Sequence, residues 1–368
     1  FMQLDRALEQ GEFDYLFDRS LELGDDSVIV LTSLVKERDD STEADMDTAA
    51  ARSGYALVDE NGEYRLYHRD TPGSFGVKSE YRAIAIGSSA PVVALQFPVF
   101  QEGDSSVLDD YAFDDLKSYD VVFLGGFTYR DRDAAEDLVY RLADAGVRIV
   151  VAADGIPSDE HTGSKVFLGL DCENITFSNG FPEMQTATGL LITTLFPNGY
   201  QDWSTVYVNG IVNPRAVIEE GSYTLPVYGT LDNENIVVIG LNLTYYESLT
   251  HDEGVAGLLA DALGVSSDEL PMREVVGISV DYGQDGRSIT ITSPKDGVNT
   301  TIAYQDIFAS ESPLVRRNNL LVVDKGTTEI EMSYPYLWQG LAVSAAGIVA
   351  SVAFFVMVRT CEKKRGRG

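Results

Sequence analysis

The stretch RIVVAADGIPSDEH, residues 148–161, decides the fold class because it joins a buried strand to an irregular loop. Its first five residues are mostly β-branched and apolar, which is typical of a central parallel strand. Gly155 and Pro157 then break the strand and lead into an acidic loop. In open α/β sheets, ligands bind outside the carboxyl ends of the strands, so an active site is expected here.

The segments on both sides alternate between strand and helix patterns. DVVFLGGF (120–127) and NIVVIGLNL (235–243) are further apolar runs, while RDAAEDLVYRLADAG (132–146) and DEGVAGLLADALG (252–264) have helical spacing and end at glycine. This alternation predicts an α/β domain over residues 80–268, with a parallel sheet and helices on both faces.

Two smaller units flank this domain. Residues 1–72 predict a small α/β unit that ends in a hairpin, YALVDENGEYRLYHR (55–69), and the Pro- and Gly-containing DTPGSFGV (70–77) predicts a linker. Residues 273–335 contain strands with period-2 alternation and Gly-containing turns, without a helix of useful length. This pattern predicts a small antiparallel β-sandwich.

The C-terminal stretch predicts one membrane span. Residues 337–358 carry no charge and would extend about 33 Å as a helix, enough to cross the hydrocarbon core. Tyr336 and Trp338 form an aromatic belt at one end, and the basic tail 359–368 follows at the other. By the positive-inside rule, we expect a cell-membrane protein with residues 1–335 extracytoplasmic and the tail cytoplasmic. The alternative is a buried core helix, but such helices seldom lack a polar face over this length.

The start of the chain lacks the basic and apolar regions of a signal sequence. An external domain must still be delivered across the membrane. We therefore expect this region to follow transmembrane helices of the same protein, which would be its partners together with the membrane.

Charge and cysteine content exclude several classes. Acidic residues outnumber basic ones 58 to 27, for a net charge of −31, and no basic stripe offsets them, which argues against nucleic-acid binding. Cys172 and Cys361 would lie on opposite sides of the membrane, so no internal disulfide is expected. Cys172 is interpreted as a small buried residue rather than a nucleophile.

The order DVVFLGGF, helix, VRIVVAAD, then VVIGLNLTYYESLTHDEGVAGLLADALG resembles the class I glutamine amidotransferase-like fold. In catalytic members, a cysteine follows the strand that matches VRIVVAAD, and a His-Pro-Glu element follows the strand that matches VVIGLNL. Here the corresponding positions are Ala153, Asp154 and Gly155, and then Asn242 to Thr244. The resemblance therefore implies a degenerate domain without acyl-transfer machinery.

Other polar residues at the strand ends define a candidate binding rim. Its residues are Phe127, Asp154, Glu160, His161, Asn242 and His251. A histidine with carboxylates from both loops would suit a relocated acid-base or metal site. The alternative interpretation is helix capping at Asp252 and a solvated loop elsewhere. No H-E-x-x-H, C-x-x-C or calcium-loop motif is present, so neither a metal nor a cofactor is expected.

The layout of the whole chain is similar to the C-terminal region of large bacterial membrane proteins of the 6-pyruvoyl-tetrahydropterin synthase-related family. The upstream bundle of that family is glycosyltransferase-like, and its name does not imply pterin chemistry. The resemblance implies a non-catalytic extracytoplasmic module that binds or positions a cell-envelope glycan or lipid-linked sugar. The alternatives are a hydrolase or transferase with a relocated acidic site at the carboxyl edge of the sheet, and a structural spacer.

Overall fold

The computed structural model describes residues 2–35, 40–158, 163–178, 180–194, 202–265, 273–284, 286–334 and 336–365. Within these ranges the chain is a mixed α/β protein with several separate sheets and one long apolar helix near its C-terminus. We call its folded parts the N-terminal unit (2–68), the central domain (83–265) and the sandwich (75–79 together with 273–332).

The N-terminal unit packs its helices against a three-stranded antiparallel sheet. The elements up to the central domain are α1 (Met2–Gln10), α2 (Phe13–Leu23), β1 (Ser27–Leu31), α3 (Asp40–Arg52), β2 (Ala56–Glu60), β3 (Tyr64–His68) and β4 (Phe75–Ser79). The sheet order is β1-β3-β2, and the predicted hairpin joins β2 to β3. Phe17 lies at the centre of the core, with its ring 4.9 Å from that of Tyr67 and 5.6 Å from that of Tyr55.

The central domain is built on a nine-stranded sheet. Its elements are β5 (Ala83–Ile86), α4 (Ala90–Gln96), β6 (Phe100–Glu102), α5 (Phe113–Leu116), β7 (Val121–Leu124), α6 (Arg132–Asp144), β8 (Arg148–Ala152), β9 (Lys165–Phe167), β10 (Leu170–Ser178), β11 (Met184–Thr186), β12 (Gly189–Leu191), β13 (Asp202–Asn209), β14 (Asn213–Glu220), β15 (Tyr223–Thr230), β16 (Ile236–Ile239), α7 (Leu243–Thr250) and α8 (Glu253–Leu263). The strand order is β12-β11-β14-β15-β16-β8-β7-β5-β6. A separate antiparallel sheet, β13-β10-β9, packs beside it.

The prediction of a parallel sheet is correct for only part of the nine strands. β16, β8, β7, β5 and β6 run parallel, whereas β15, β14, β11 and β12 extend the sheet with antiparallel pairs. The reason lies in the connections, because β14 and β15 are joined by a short turn at Gly221 and not by a crossover helix. The extension leaves β12 at an edge of the sheet.

Helices cover both faces of the parallel strands, as the sequence predicts. α6 buries Leu138, Val139 and Leu142 against one face, and α8 buries Leu259 in the core cluster on the other. The side chain of Asp252 caps α8 by accepting a hydrogen bond from the amide of Val255 at 2.9 Å. This capping agrees with the structural interpretation of Asp252.

The C-terminal strands form two packed sheets. They are β17 (Arg273–Gly277), β18 (Ser279–Tyr282), β19 (Ser288–Ser293), β20 (Val298–Ala303), β21 (Phe308–Ala309), β22 (Val315–Arg317), β23 (Leu320–Val323) and β24 (Gly326–Met332). The sheet orders are β17-β4-β20-β23-β22 and β18-β19-β24-β21, and both sheets contribute to one apolar core. The linker prediction for 70–77 is therefore wrong from Phe75 onward, because β4 pairs with β17 and β20 inside the first sheet.

A buried ion-pair cluster joins the N-terminal unit to the sandwich and the central domain. Arg273 of β17 lies 3.0 Å from Asp18 and 3.1 Å from Glu22, both on α2, and it donates a hydrogen bond to the carbonyl of Pro98. Arg19 shares Glu22 with Arg273. Because both carboxylates and Arg273 are almost fully buried, the three units dock through paired charges shielded from water.

The last helix, α9 (Leu337–Arg365), stands apart from the three units. Its segment Leu337–Arg359 has a mean hydropathy of 2.4, and none of the segment's most apolar window is buried against the protein. Its 23 residues rise about 35 Å, enough to cross a bilayer. The chain therefore carries a helix that is long and apolar enough to span a membrane.

Candidate functional site

The carboxyl edge of the central sheet is closed by direct backbone packing. The loops after β5, β7 and β8 carry Gly87, Gly126 and Gly155, and a Cβ at Gly155 would lie 2.9 Å from the Cα of Gly126. A Cβ at Gly87 would likewise lie 2.5 Å from the amide nitrogen of Phe127. The amide of Ser88 also donates a 3.1 Å hydrogen bond to the carbonyl of Gly126. The loops after these three strands therefore pack directly on one another.

Two predicted rim residues lie against this closed edge. Phe127 is only 1% exposed, and its ring packs 5.1 Å from that of Phe167, so it is a core residue. Asp154 follows β8 in a 3₁₀ turn, where burial raises the pKa of its carboxyl. Its backbone carbonyl accepts a 2.7 Å hydrogen bond from Lys165. Phe127 is therefore withdrawn from solvent, whereas Asp154 is partly exposed.

The nearby thiol of Cys172 is also unsuited to nucleophilic attack. Cys172 is a free cysteine on β10 and is 8% exposed. Burial raises the pKa of its thiol to about 11, which leaves almost no thiolate at neutral pH. The structure thus agrees with its interpretation as a small buried residue.

The turn after β16 has an unusual backbone. Leu241 and Asn242 both adopt left-handed conformations, with φ of 59° and 53°. Leu241 is held there because its amide donates to the carbonyl of Val206 and its carbonyl accepts from the indole of Trp203. Asn242 begins α7, and its side chain makes no capping hydrogen bond. The turn therefore carries an amide side chain at Asn242, without an imidazole or a carboxylate.

His251, another rim residue, lies at the opposite end of α7. Its side chain is 51% exposed, and its Nδ1 lies 3.9 Å from a carboxyl oxygen of Glu12 in the N-terminal unit. Burial lowers its pKa. No hydrogen bond, ion pair or ring contact between described residues joins His251 to Phe127, Asp154 or Asn242. The remaining rim residues, Glu160 and His161, lie outside the described residues.

A cleft of about 470 Å³, which we call the carboxyl cleft, lies beside α2 and α7. Glu247 of α7 and Asp14 of α2 line it from opposite sides. Burial, followed by repulsion from Glu247 and Asp14, raises the pKa of Glu12 to about 8. Burial and the charge of Asp252 raise the pKa of Glu247 to about 7. Carboxyls with raised pKa values can hold a proton near neutral pH and donate it to a ligand.

A larger groove, which we call the α8 groove, lies on the side of α8 opposite the carboxyl cleft. It has a volume of about 740 Å³ and runs between α8 and the β11–β12 hairpin. Tyr228 donates a 2.5 Å hydrogen bond to Asp261, and Arg215 lies 3.4 Å from the Tyr228 hydroxyl and 3.7 Å from Asp261. Leu190 and Leu191 supply an apolar wall. A guanidinium, a carboxylate and a hydroxyl beside an apolar wall suit a ligand that carries several hydroxyl groups.

Sequence reasoning missed Glu12 and Glu247, whose pKa values are raised to about 8 and about 7. They are far apart in the chain and come close only because the N-terminal unit docks on the central domain. A signal for Glu247 does exist, because it lies one helical turn after Leu243 and so shares the buried face of α7. A carboxylate on an apolar helix face is a residue to examine. No group of three or more described His, Cys, Asp or Glu residues could hold a metal ion.

Fold and site together define a mixed α/β protein with an apolar C-terminal helix and a closed strand-end edge. One family model, described as a domain of unknown function (DUF8560), matches residues 82–246, and another, also described as a domain of unknown function (DUF8559), matches residues 1–80. The boundary between the two matches falls between β4 and β5. No curated protein matches the chain.

Two solved glycosidase structures show a weak likeness. Alpha-L-fucosidase isoenzyme 2 from Paenibacillus thiaminolyticus is 10% identical with a TM-score of 0.34, over 89% of this chain and 58% of that one. The polyextremophilic beta-galactosidase from the Antarctic haloarchaeon Halorubrum lacusprofundi is 12% identical with a TM-score of 0.31, over 80% of this chain and 43% of that one. The chain spans less than two thirds of either protein, and TM-scores this low carry no argument about function.

Proposed function

We propose that this chain is a non-catalytic extracytoplasmic module, held at the membrane by α9, that binds or positions an envelope glycan or lipid-linked sugar. In this proposal the central domain is a degenerate amidotransferase-like domain, and the module serves a polytopic glycosyltransferase-like protein whose transmembrane helices precede it. The parallel strands β5, β7, β8 and β16, with helices on both faces, are consistent with such a domain.

The closed carboxyl edge of the central sheet is the observation that carries the proposal. The loops that carry Gly87, Gly126 and Gly155 fill the place where the resembled fold would present its nucleophile. Cys172 is buried with a raised thiol pKa, and the turn at Asn242 supplies no general base. Acyl transfer needs a nucleophile and a base within hydrogen-bond reach, and this edge provides neither.

The α8 groove is the surface we assign to the ligand. Its polar end is formed by Arg215, Tyr228 and Asp261, which can donate hydrogen bonds to sugar hydroxyls and accept hydrogen bonds from them. Its apolar wall, which includes Leu190 and Leu191, can cover the less polar face of a sugar ring. A pocket with few polar groups on an apolar lining is the usual composition of a small-molecule site.

The test measures binding and turnover on the same sample. The full chain in lipid nanodiscs is titrated calorimetrically with a polyisoprenyl-pyrophosphate-linked hexosamine and with the same sugar without its lipid. We expect binding to both, weakened about tenfold or more in Arg215→Ala because a charged hydrogen-bond donor is lost. Arg141→Ala removes an exposed arginine far from the groove and serves as the matched control.

Turnover is measured in parallel with glutamine, nitrophenyl esters and nitrophenyl glycosides. We expect no product above the protein-free rate. Turnover that Asp154→Asn abolishes would contradict the proposal, because it would place working chemistry at the edge that the glycine loops close. If Arg215→Ala leaves sugar binding unchanged, the α8 groove is not the binding site.

The carboxyl cleft favours a second candidate, a hydrolase or transferase with a relocated acidic site. Glu247 lines the cleft, and its charge helps to raise the pKa of Glu12, so these two carboxyls would form the acid-base pair. His251 is half exposed, and its Nδ1 lies 3.9 Å from a carboxyl oxygen of Glu12, which is longer than a hydrogen bond. If nitrophenyl glycosides are hydrolysed and Glu247→Gln abolishes the activity while Glu253→Gln preserves it, this candidate replaces the first.

A further inference from the structure

A second charge cluster lies beside Arg273, at the junction of the three units. It borders a small cavity of about 10 Å³ lined by Arg82, Tyr119, Arg273 and Arg317. Arg82 immediately precedes β5 of the central domain, and Arg317 ends β22 of the sandwich. Three cationic side chains therefore converge on one cavity in a protein whose net charge is −31.

Only Arg273 has carboxylate partners within this cluster. Asp18 and Glu22 bind Arg273, and Glu22 is also held by Arg19. Among the residues that the structure describes, neither Arg82 nor Arg317 forms an ion pair.

The guanidinium of Arg82 carries an unused donor. Its plane lies over the Tyr119 ring, with Cζ 5.0 Å from the ring centroid, and its Nε is buried without a hydrogen-bond partner within the described ranges. An unsatisfied buried donor on a charged group is unfavourable by about 1–3 kcal/mol or more. A ligand with a lone pair in the cavity would satisfy it.

Arg317 faces the same cavity with its charge unbalanced. Burial, then repulsion from Arg82 and Arg273, lowers the pKa of its guanidinium. Tyr119 opposite accepts a hydrogen bond from Gln101, so its own O–H hydrogen remains available for donation. The cavity thus offers donors from several sides, and no carboxylate lines it.

The size of the cavity restricts the class of ligand. About 10 Å³ holds a single water-sized body, since roughly 10–15 Å³ is needed for one water molecule. Sulfate or phosphate would require the surrounding side chains to move apart. We propose that this cavity binds one halide ion, chloride in ordinary solution, which bridges Arg82 of the central domain and Arg317 of the sandwich.

Thermal unfolding of the full chain in detergent, at constant ionic strength, tests the proposal. Chloride is replaced stepwise by gluconate, which is too large for the cavity. The midpoint of thermal unfolding should rise with the chloride concentration. When the chloride concentration is about ten times its Kd, the unfolding equilibrium should shift about 11-fold towards the folded state. Sulfate at the same ionic strength should behave like gluconate.

Two neighbouring arginines provide a matched pair of variants. Arg317→Gln should lose the response to chloride, because it removes one of the two bridged cations. Arg316→Gln should keep the response, because Arg316 is exposed and pairs with Asp104 outside the cavity. If Arg317→Gln does not fold, bromide-soaked crystals of the native chain replace it, and an anomalous peak within about 3.5 Å of Arg82 Nε and the Arg317 guanidinium is expected.

Three results would overturn the proposal. The first is an equal midpoint in chloride and gluconate. The second is a sulfate response as large as the chloride response, which would indicate a general salt effect. The third is a bromide map without a peak in the cavity.

Discussion

The raised pKa values of Glu12 and Glu247 predict that the protein loses stability as the pH rises towards 8. Glu12 is 17% exposed and begins α2, and it faces Glu247 of α7. Asp14 adds a further negative charge, although Arg52 of α3 pairs with it. Burial lowers the pKa of His251, which weakens any compensation of this repulsion by a positive imidazole as the pH rises towards 8.

The sign follows from the proton balance of the two states. Between pH 4.5 and about 8, Glu12 has lost its proton in the unfolded chain but keeps it in the folded protein. The folded state then binds more protons, so the free energy of unfolding falls as the pH rises through this window and levels off above it. Glu247 adds to the fall up to about pH 7.

The size of this loss of stability follows from the pKa shift of Glu12 alone. A rise from 4.5 to about 8 corresponds to at most about 5 kcal/mol, at about 1.4 kcal/mol for each pH unit. Glu12→Gln removes the ionisable group and keeps its shape. We therefore expect the variant to match the native chain near pH 5 and to exceed its stability by a few kcal/mol at pH 8.5.

Urea unfolding followed by tryptophan fluorescence measures this difference. Trp203 is suited to the assay because it is 9% exposed and stacks on Tyr245 of α7, the helix that carries Glu247. Glu9→Gln, at an exposed position of α1, is the control and should follow the native curve at every pH. A native chain whose stability is constant or rises between pH 6 and 8.5 would refute the reasoning, as would parallel native and Glu12→Gln curves.

Three further predictions concern the junction, the closed edge and the surface charge. Arg273→Met leaves Asp18 and Glu22 buried without their cation, so the free energy of unfolding should fall by about 3–5 kcal/mol in urea titrations at pH 7. Gly155→Ala forces a methyl group into the neighbouring loop and should lower the thermal midpoint by several degrees, whereas Gly62→Ala, which meets nothing within 4 Å, should change it little. Lowering the salt concentration from about 1 M to about 0.01 M should lower the midpoint in calorimetry, because the Debye length grows from about 3 Å to about 30 Å and the excess carboxylates repel.

Features encoded in short stretches of sequence were predictable. The helix over 252–264 was expected from its glycine stop and apolar spacing, and α8 does end before Gly264, with Asp252 as its cap. The apolar runs at β7 and β16 were expected as central strands, and all four residues of each are buried. Caps, turns and apolar periodicity act within a few residues, so they can be recognised without knowledge of the fold.

Features that depend on distant pairing were not predictable in this way. The composition around Gly73 indicates a linker, yet Phe75–Ser79 becomes β4 because β17 and β20, from the far end of the chain, supply its hydrogen-bond partners. Glu12 and Glu247 meet for the same reason, through the docking of one unit on another. A residue's local neighbours say nothing about a partner that only tertiary contact brings to it.

The glycines at the strand ends show why the predicted α/β class, although confirmed in its coarse form, did not locate an open site. Glycine allows close backbone approach, and in nucleotide-binding folds that approach admits a ligand. In this chain Gly87, Gly126 and Gly155 approach one another instead, so the freed space is filled by the protein itself. A glycine in the sequence indicates that something comes close, but not whether a ligand or another loop does so. Open volume is found instead on the two sides of α8, where Gly257 lines both the groove and the cleft. We therefore expect a ligand to bind beside that helix and not at the strand ends, where the loops pack on one another.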